Sequence, residues 1–211
     1  MIKSVIFDMD GVLIDAREWH YLALNRALKL FGYEISRHQH LTTFDGLPTN
    51  KKLSLLTLEE GLPETLHSFI SELKQKYTVE LIHSSCNPSF KQLRLLTKLR
   101  ADGYVTALAS NSIRETIELM LEKANLDDKF MKITSAEDVS KPKPDPEIYT
   151  LTMKAIGVAP SDCLIVEDNA HGVRAAKASG AHVLQVIGPF DVSVENVYRR
   201  IHLINTEGNN S

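Results

Sequence analysis

The chain has 211 residues, 43% of them hydrophobic, and its 24 lysines and arginines against 27 aspartates and glutamates leave a formal net charge of -3. That length and apolar fraction suit one large domain or a core with a smaller insertion, and the basic residues are spread out rather than gathered into a stripe, which argues against nucleic acid as a partner. No run approaches the roughly 20 apolar residues that span a bilayer, Asp8 interrupts the first apolar run too early for a signal-peptide core, and Cys86 and Cys163 lack metal-ligand spacing; the expectation is a cytoplasmic chain with two unpaired thiols and no membrane partner.

In chain order, Ser4-Val5-Ile6-Phe7 is an apolar strand that runs into Asp8-Met9-Asp10-Gly11, two carboxylates and then a turn residue. From Ala16 to Ser85 the pattern is helical, with no convincing strand. Asp15 is placed to cap a helix carrying Tyr21, Leu24, Leu28 and Phe31 and stopping at Gly32. A second helix is expected after Pro48, and a third from Pro63 with Leu66, Ile70, Leu73 and Tyr77 on one side. Asn87-Pro88 then opens a helix with Phe90, Leu93, Leu96 and Leu99 that ends at Gly103.

From Tyr104 onward apolar strands alternate with helices. Strands are expected at 104–109, 131–134, 163–166 and 182–187. The helices between them carry Ile113, Ile117, Met120 and Ala124; then Tyr149, Thr152, Met153 and Ile156; then a stretch from about Ala170 to Ser179 closed by Gly180. This alternation predicts an α/β fold: a Rossmann-like, doubly wound parallel sheet built from residues 1–15 and 86–211, interrupted by a helical insertion at 16–85. Glu207 to Ser211 reads as a frayed polar tail.

Each later strand delivers polar groups to the end where Asp8 and Asp10 lie, the end at which α/β sheets bind ligands. The second strand runs into Ser110-Asn111-Ser112 just before a helix, where a hydroxyl and free N–H groups favour an anion; Asn111 or Ser112 is also expected to cap that helix, which does not exclude anion binding. After the third strand comes Ser140-Lys141-Pro142-Lys143-Pro144-Asp145-Pro146. Its alternate prolines stiffen the backbone, so Lys141 is assigned to a phosphate and Lys143 to solvent. The fourth strand ends in Glu167-Asp168. Four carboxylates converging on one sheet end require a cation, and an all-oxygen donor set favours magnesium over zinc.

Together, Asp8-Met9-Asp10-Gly11-Val12, Ala109-Ser110-Asn111, Lys141-Pro142-Lys143-Pro144 and Glu167-Asp168 resemble the four motifs of the haloacid-dehalogenase superfamily, in its phosphatase and β-phosphoglucomutase branch. The resemblance implies a Mg2+-dependent phosphatase acting on a small phosphorylated metabolite, a sugar or polyol phosphate. It implies Asp8 as the nucleophile, Asp10 as general acid and then base, and Ser110 and Lys141 as holders of the phosphoryl oxygens, with Asn111 adding a hydrogen bond. Mg2+ would sit on Asp8, the Asp10 carbonyl and Asp168, with Glu167 reaching it through water. The insertion at 16–85 would be a mobile cap. In it, His20 is either a substrate-site residue that assists proton traffic at Asp10 or structural. Trp19 is treated as cap core, while Phe44, Asp45, Gly46, Leu47 and Asn50 fall near the segment resembling the specificity loop, Gly46 and Asn50 being taken as substrate-binding. His38, His40, His67 and His83 are given no chemistry. A monomer or weak homodimer is expected.

Three other readings remain. A sugar-phosphate mutase is the enzymatic rival; against it, the mutases' hinge threonine falls at Ala16, their cap lysine near Val79 and their loop arginine near Thr49 or Asn50. A receiver-like signalling module would carry its phosphorylated aspartate on a later strand and no helical insertion after the first. A non-catalytic binding protein on this fold would leave the complete motif set without a use.

Overall fold

The computed structural model describes residues 1–44 and 46–207, which form two units, one of Met1–Asp15 with the chain from Asn87 onward and one of Ala16–Cys86. The first unit is built on five parallel strands, β1 (Ser4–Phe7), β2 (Val105–Ala109), β3 (Lys132–Thr134), β4 (Cys163–Glu167) and β5 (His182–Gln185), in the order β3-β2-β1-β4-β5. The central strand is buried along its whole length, as a strand covered on both faces must be. Phe7 stands in register with Leu108 and Val166, so the residues following all three strands emerge at one edge, where the chain passes from β1 to neighbours on either side.

The second unit is helical: α1 (Arg17–Lys29), the short α2 (Arg37–Gln39), α3 (Thr49–Glu60) and α4 (His67–Ser85). Leu24, Leu28, Phe44, Leu53, Leu56 and Ile70 pack together as its core. The N-cap of α1 is Ala16, not Asp15. A capping side chain must occupy the cap position itself to reach the free N–H groups of the first turn, and Asp15 lies one residue outside it. Between α2 and α3, His40–Phe44 forms a π-helical turn, for which no apolar periodicity prepares.

The first unit continues with α5 (Phe90–Ala101), α6 (Arg114–Ala124), α7 (Glu147–Ala155), α8 (Ala170–Ala178) and α9 (Val194–Glu207). Tyr149, Met153 and Ile156 from the region of α7 pack with Ile6, Ala107 and Ile165 of the sheet. In α5 the inward face is Gln92, Leu95, Leu96 and Leu99, whereas Phe90 is exposed. Ile113 precedes α6 as its N-cap and makes no side-chain cap bond, so neither Asn111 nor Ser112 caps that helix. The sequence reading did not foresee α9, although its buried Val197, Ile201 and Ile204 fall at helical spacing. Of the expected polar tail, residues 208–211 lie outside the described residues, and Glu207 ends the helix. Among the described residues no helix is long and apolar enough to cross a membrane.

Candidate active site

Asp8 follows β1 directly, and its N–H donates to the Val166 carbonyl at 3.1 Å, which extends the parallel pairing one residue and fixes the carboxylate at the sheet edge. The chain then turns sharply. Gly11 takes a left-handed φ of 86°, and the Met9 carbonyl accepts from Val12, Leu13 and Ile14, so Asp8 and Asp10 are borne on a stitched turn rather than a loose loop. Asp8 is buried. Burial pushes its carboxyl well above the usual carboxylate range; Lys143 opposes that shift, while Glu167, Asp168 and Asp10 add to it.

The cation in this cluster is Lys143. Its Nζ donates to Asp8 Oδ1 at 2.6 Å, Glu167 Oε1 at 2.7 Å and the Ala109 carbonyl at 2.9 Å, using all three of its N–H bonds. The side chain is 3% exposed. Burial works against its charge, but Asp8 and Glu167 outweigh burial and hold the ammonium above its ordinary value. The expectation that Lys143 faces solvent is therefore corrected: it is Lys143, and not Lys141, that the loop carries into the acid cluster. Lys141 is exposed, and its N–H, with the N–H and hydroxyl of Ser140, is bound by the Glu147 carboxylate, which holds that part of the loop on the outside. The Lys143 N–H instead donates to Asn111 Oδ1 at 3.1 Å, which ties the next part of the loop to the end of β2. The sequence contains two overlapping frames, Lys141-Pro142-Lys143-Pro144 and Lys143-Pro144-Asp145-Pro146. The second runs straight into α7 at Glu147, and that continuity is the signal that could have chosen between them.

Glu167, the last residue of β4, is fully buried. Its Oε1 accepts from Lys143 and from the Tyr149 hydroxyl, and its Oε2 accepts from the Asp168 N–H at 3.1 Å. Burial, reinforced by the charge of Glu167, raises the Tyr149 hydroxyl well above its usual range and keeps it a neutral donor. Gly172, in the first turn of α8, is what lets the helix come so close: a Cβ there would lie 2.0 Å from Glu167 Oε1. We expect Gly172→Ala to cost about 1–3 kcal/mol in a urea titration, the range for forced overpacking, and to lower activity by displacing Glu167. Unchanged stability and activity would mean that the carboxylate has room to move.

Ser110 is buried and donates to Asp10 Oδ2 at 3.4 Å. Ser112, one of the two capping candidates, makes the shorter contact, with its Oγ donating to the same oxygen at 2.8 Å. The Ser112 N–H in turn donates to Ser110 Oγ at 3.1 Å. Asp10 is thus held by two hydroxyls from the loop after β2. Of the residues read from the sequence, the structure brings together Asp8, Asp10, Ser110, Asn111, Glu167 and Asp168, and it adds Lys143, Ser112, Tyr149 and Gly172.

Oxygen atoms of Asp8, Glu167 and Asp168 lie within 4.8 Å of one another. Three carboxylates without a histidine or thiolate are a hard donor set, and the residues present fit Mg2+.

The remaining expected site residues belong to the helical unit. His20 lies on α1 with its Nδ1 3.2 Å from Lys74 Nζ. Gly46 has a left-handed φ of 71°, and Asn50, in the first turn of α3, accepts the Lys51 N–H on its Oδ1. His67 Nε2 is 2.8 Å from Thr57 Oγ1, which is a structural use of that histidine. Asp45 lies outside the described residues.

The family model for haloacid dehalogenase-like hydrolases matches residues 5–186. Among curated relatives, a phosphorylated carbohydrates phosphatase of Thermotoga maritima is 28% identical over 208 residues, covering 97% of this chain and 88% of the relative. A β-phosphoglucomutase of Bacillus subtilis is 29% identical, covering 88% and 83%, and hexitol phosphatase B of Escherichia coli is 29% identical, covering 89% and 85%. Among solved structures, a β-phosphoglucomutase from Clostridium difficile superposes with a TM-score of 0.84 at 23% identity over 98% of this chain and 100% of that one.

Proposed function

The chain belongs to the haloacid dehalogenase-like hydrolase family, and from that premise we propose that it is a Mg2+-dependent phosphatase that hydrolyses a sugar or polyol phosphate through an aspartyl phosphate on Asp8. The observation that carries this reading is the buried Lys143 ammonium, 2.6 Å from a carboxylate that is itself buried beside two more acids. A cation so placed works against the burial that disfavours the Asp8 anion and offsets the charge of an incoming phosphoryl group. Asp8 attacks phosphorus and the bond to the leaving oxygen breaks, with Asp10 supplying that oxygen with a proton. Asp10 then takes a proton from water, the water oxygen attacks phosphorus, and Asp8 leaves with release of inorganic phosphate. Ser110 and Asn111 offer hydrogen bonds to the phosphoryl oxygens. Mg2+, held by Asp8, the Asp10 carbonyl and Asp168 with Glu167 behind them, would neutralise part of the phosphoryl charge. The names of the Thermotoga and Escherichia relatives support a phosphorylated carbohydrate or polyol as the substrate class.

Hydrolysis is favoured over isomerisation because a mutase must grip a second phosphate and keep water from its phosphoenzyme. Ala16 stands where the resemblance places a mutase's hinge threonine and offers no hydroxyl, and Thr49 and Asn50 stand near the position of its loop arginine and carry no cation. Val79 likewise offers none, although Lys74 supplies a cation elsewhere on α4. A panel of sugar and polyol phosphates is assayed for phosphate release, alongside β-glucose 1-phosphate with a catalytic amount of the 1,6-bisphosphate. Phosphate is expected to be the main product. Rapid formation of glucose 6-phosphate with little phosphate would make the protein a mutase. Chelation is expected to stop turnover and Mg2+ to restore it, whereas Ca2+ should inhibit through its looser coordination. Full activity after exhaustive chelation would remove the metal from the proposal.

A further inference from the structure

Tyr149 is read from the sequence as a core residue of α7, and it is fully buried in the cluster between that helix and the sheet. A buried tyrosine needs an acceptor for its hydroxyl, and a backbone carbonyl would serve a purely structural one. Here the acceptor is Glu167 Oε1, the same oxygen that accepts from Lys143. The Tyr149 ring also lies under the ammonium, its centroid 4.7 Å from Nζ. We infer that the Tyr149 hydroxyl positions the Lys143 ammonium against Asp8 by fixing the Glu167 carboxylate, which makes Tyr149 a positioning residue for phosphoryl transfer. The inference rests on the proposed role of Lys143 as the cation that meets the phosphoryl group.

Glu167 is constrained from three directions. The Asp168 N–H holds Oε2, Lys143 and Tyr149 hold Oε1, and Gly172 closes the side where a Cβ would collide with the carboxylate. Without the hydroxyl, Oε1 keeps only the lysine as a side-chain donor, and the carboxylate and ammonium are free to shift together. Lys143 has a flexible four-carbon stem, so the precision of its contact with Asp8 depends on how firmly its other acceptors are held. The Ala109 carbonyl is fixed by the β2 backbone, which leaves Glu167 as the acceptor whose position a neighbour can set. Tyr149→Phe removes that one hydrogen bond while keeping the ring, its packing and its face toward the ammonium.

Two measurements test this on the full chain. With p-nitrophenyl phosphate and saturating Mg2+, Tyr149→Phe should lower kcat about tenfold and leave KM within about twofold, because the lost interaction matters most as charge develops. Independently of turnover, Lys143 acylation by an acetyl N-hydroxysuccinimide ester is followed by peptide mass spectrometry, with alkylation of Cys163 as the control. Cys163 is buried in the same cluster, and burial pushes its thiol up to about 11, so it reacts only when the core opens. The inference expects faster acylation of Lys143 in Tyr149→Phe with Cys163 unchanged. Unchanged acylation, or acceleration of both residues in parallel, would overturn it. A parent protein without phosphatase activity, whose Lys143 is nonetheless unmasked by Tyr149→Phe, would sink the phosphatase reading and with it the role in phosphoryl transfer, leaving only the hold of Tyr149 on Glu167 and Lys143.

Discussion

Asp8→Asn is expected to abolish phosphate release, by roughly 10^4-fold or more, the order reached when a nucleophile is removed from a covalent mechanism. The amide keeps the shape of the carboxylate and can still accept a hydrogen bond from Lys143, but it has no anionic oxygen with which to attack phosphorus. The fold should survive. Asp8 is buried beside Glu167, Asp168 and Asp10, and the combined repulsion and burial already disfavour its charge. Replacing it with a neutral isostere removes an unfavourable buried anion and leaves Lys143 paired with Glu167 at 2.7 Å. Urea midpoints for Asp8→Asn should therefore equal or exceed those of the parent. A beryllium fluoride adduct formed with Mg2+ should load on Asp8 in the parent and be absent from the variant. Substantial turnover in a verified preparation, or an adduct on another residue, would move the nucleophile elsewhere.

Local pattern is enough to read the sheet edge that carries Asp8 but not the group that completes it. Apolar runs ending in carboxylates mark β1 and β4, since such runs form buried strands and their charged ends must emerge where something compensates them. Tyr149, Thr152, Met153 and Ile156 are all buried as their spacing predicts. The choice of lysine follows a different rule. Lys143 and Asp8 are 135 positions apart, and their contact depends on Glu147 holding Ser140 and Lys141 outward while Asn111 draws Lys143 in. No periodicity encodes that arrangement. Ser112 was hidden for a related reason: a serine just before a helix fits a cap as well as a hydrogen bond to Asp10, and only the placement of Ile113 as N-cap separates the two.

The two lysines of the proline-rich loop give the sharpest contrast in the molecule. Lys143→Met should reduce kcat/KM by roughly 10^3-fold or more, whereas Lys141→Ala should stay within about threefold of the parent. Methionine keeps most of the length and apolar packing of the lysine stem, so the loss reports the missing charge rather than a cavity. Stability should fall as well. Removing one partner from a buried ion cluster leaves the others uncompensated, at a typical cost of about 3–5 kcal/mol, and here Asp8 and Glu167 would both lose their ammonium. Activity is therefore measured at a temperature where denaturant titration shows the variant folded. Arginine should not rescue the site, because a guanidinium is broader than the space left around a side chain that is 3% exposed. Lys141 meets no such constraint: it is exposed, and its backbone N–H is bound by Glu147 at 2.9 Å whatever side chain it carries. Comparable losses at the two positions, or a larger one at Lys141, would show that the 141–144 frame supplies the working lysine and that the buried cluster around Lys143 serves the fold alone.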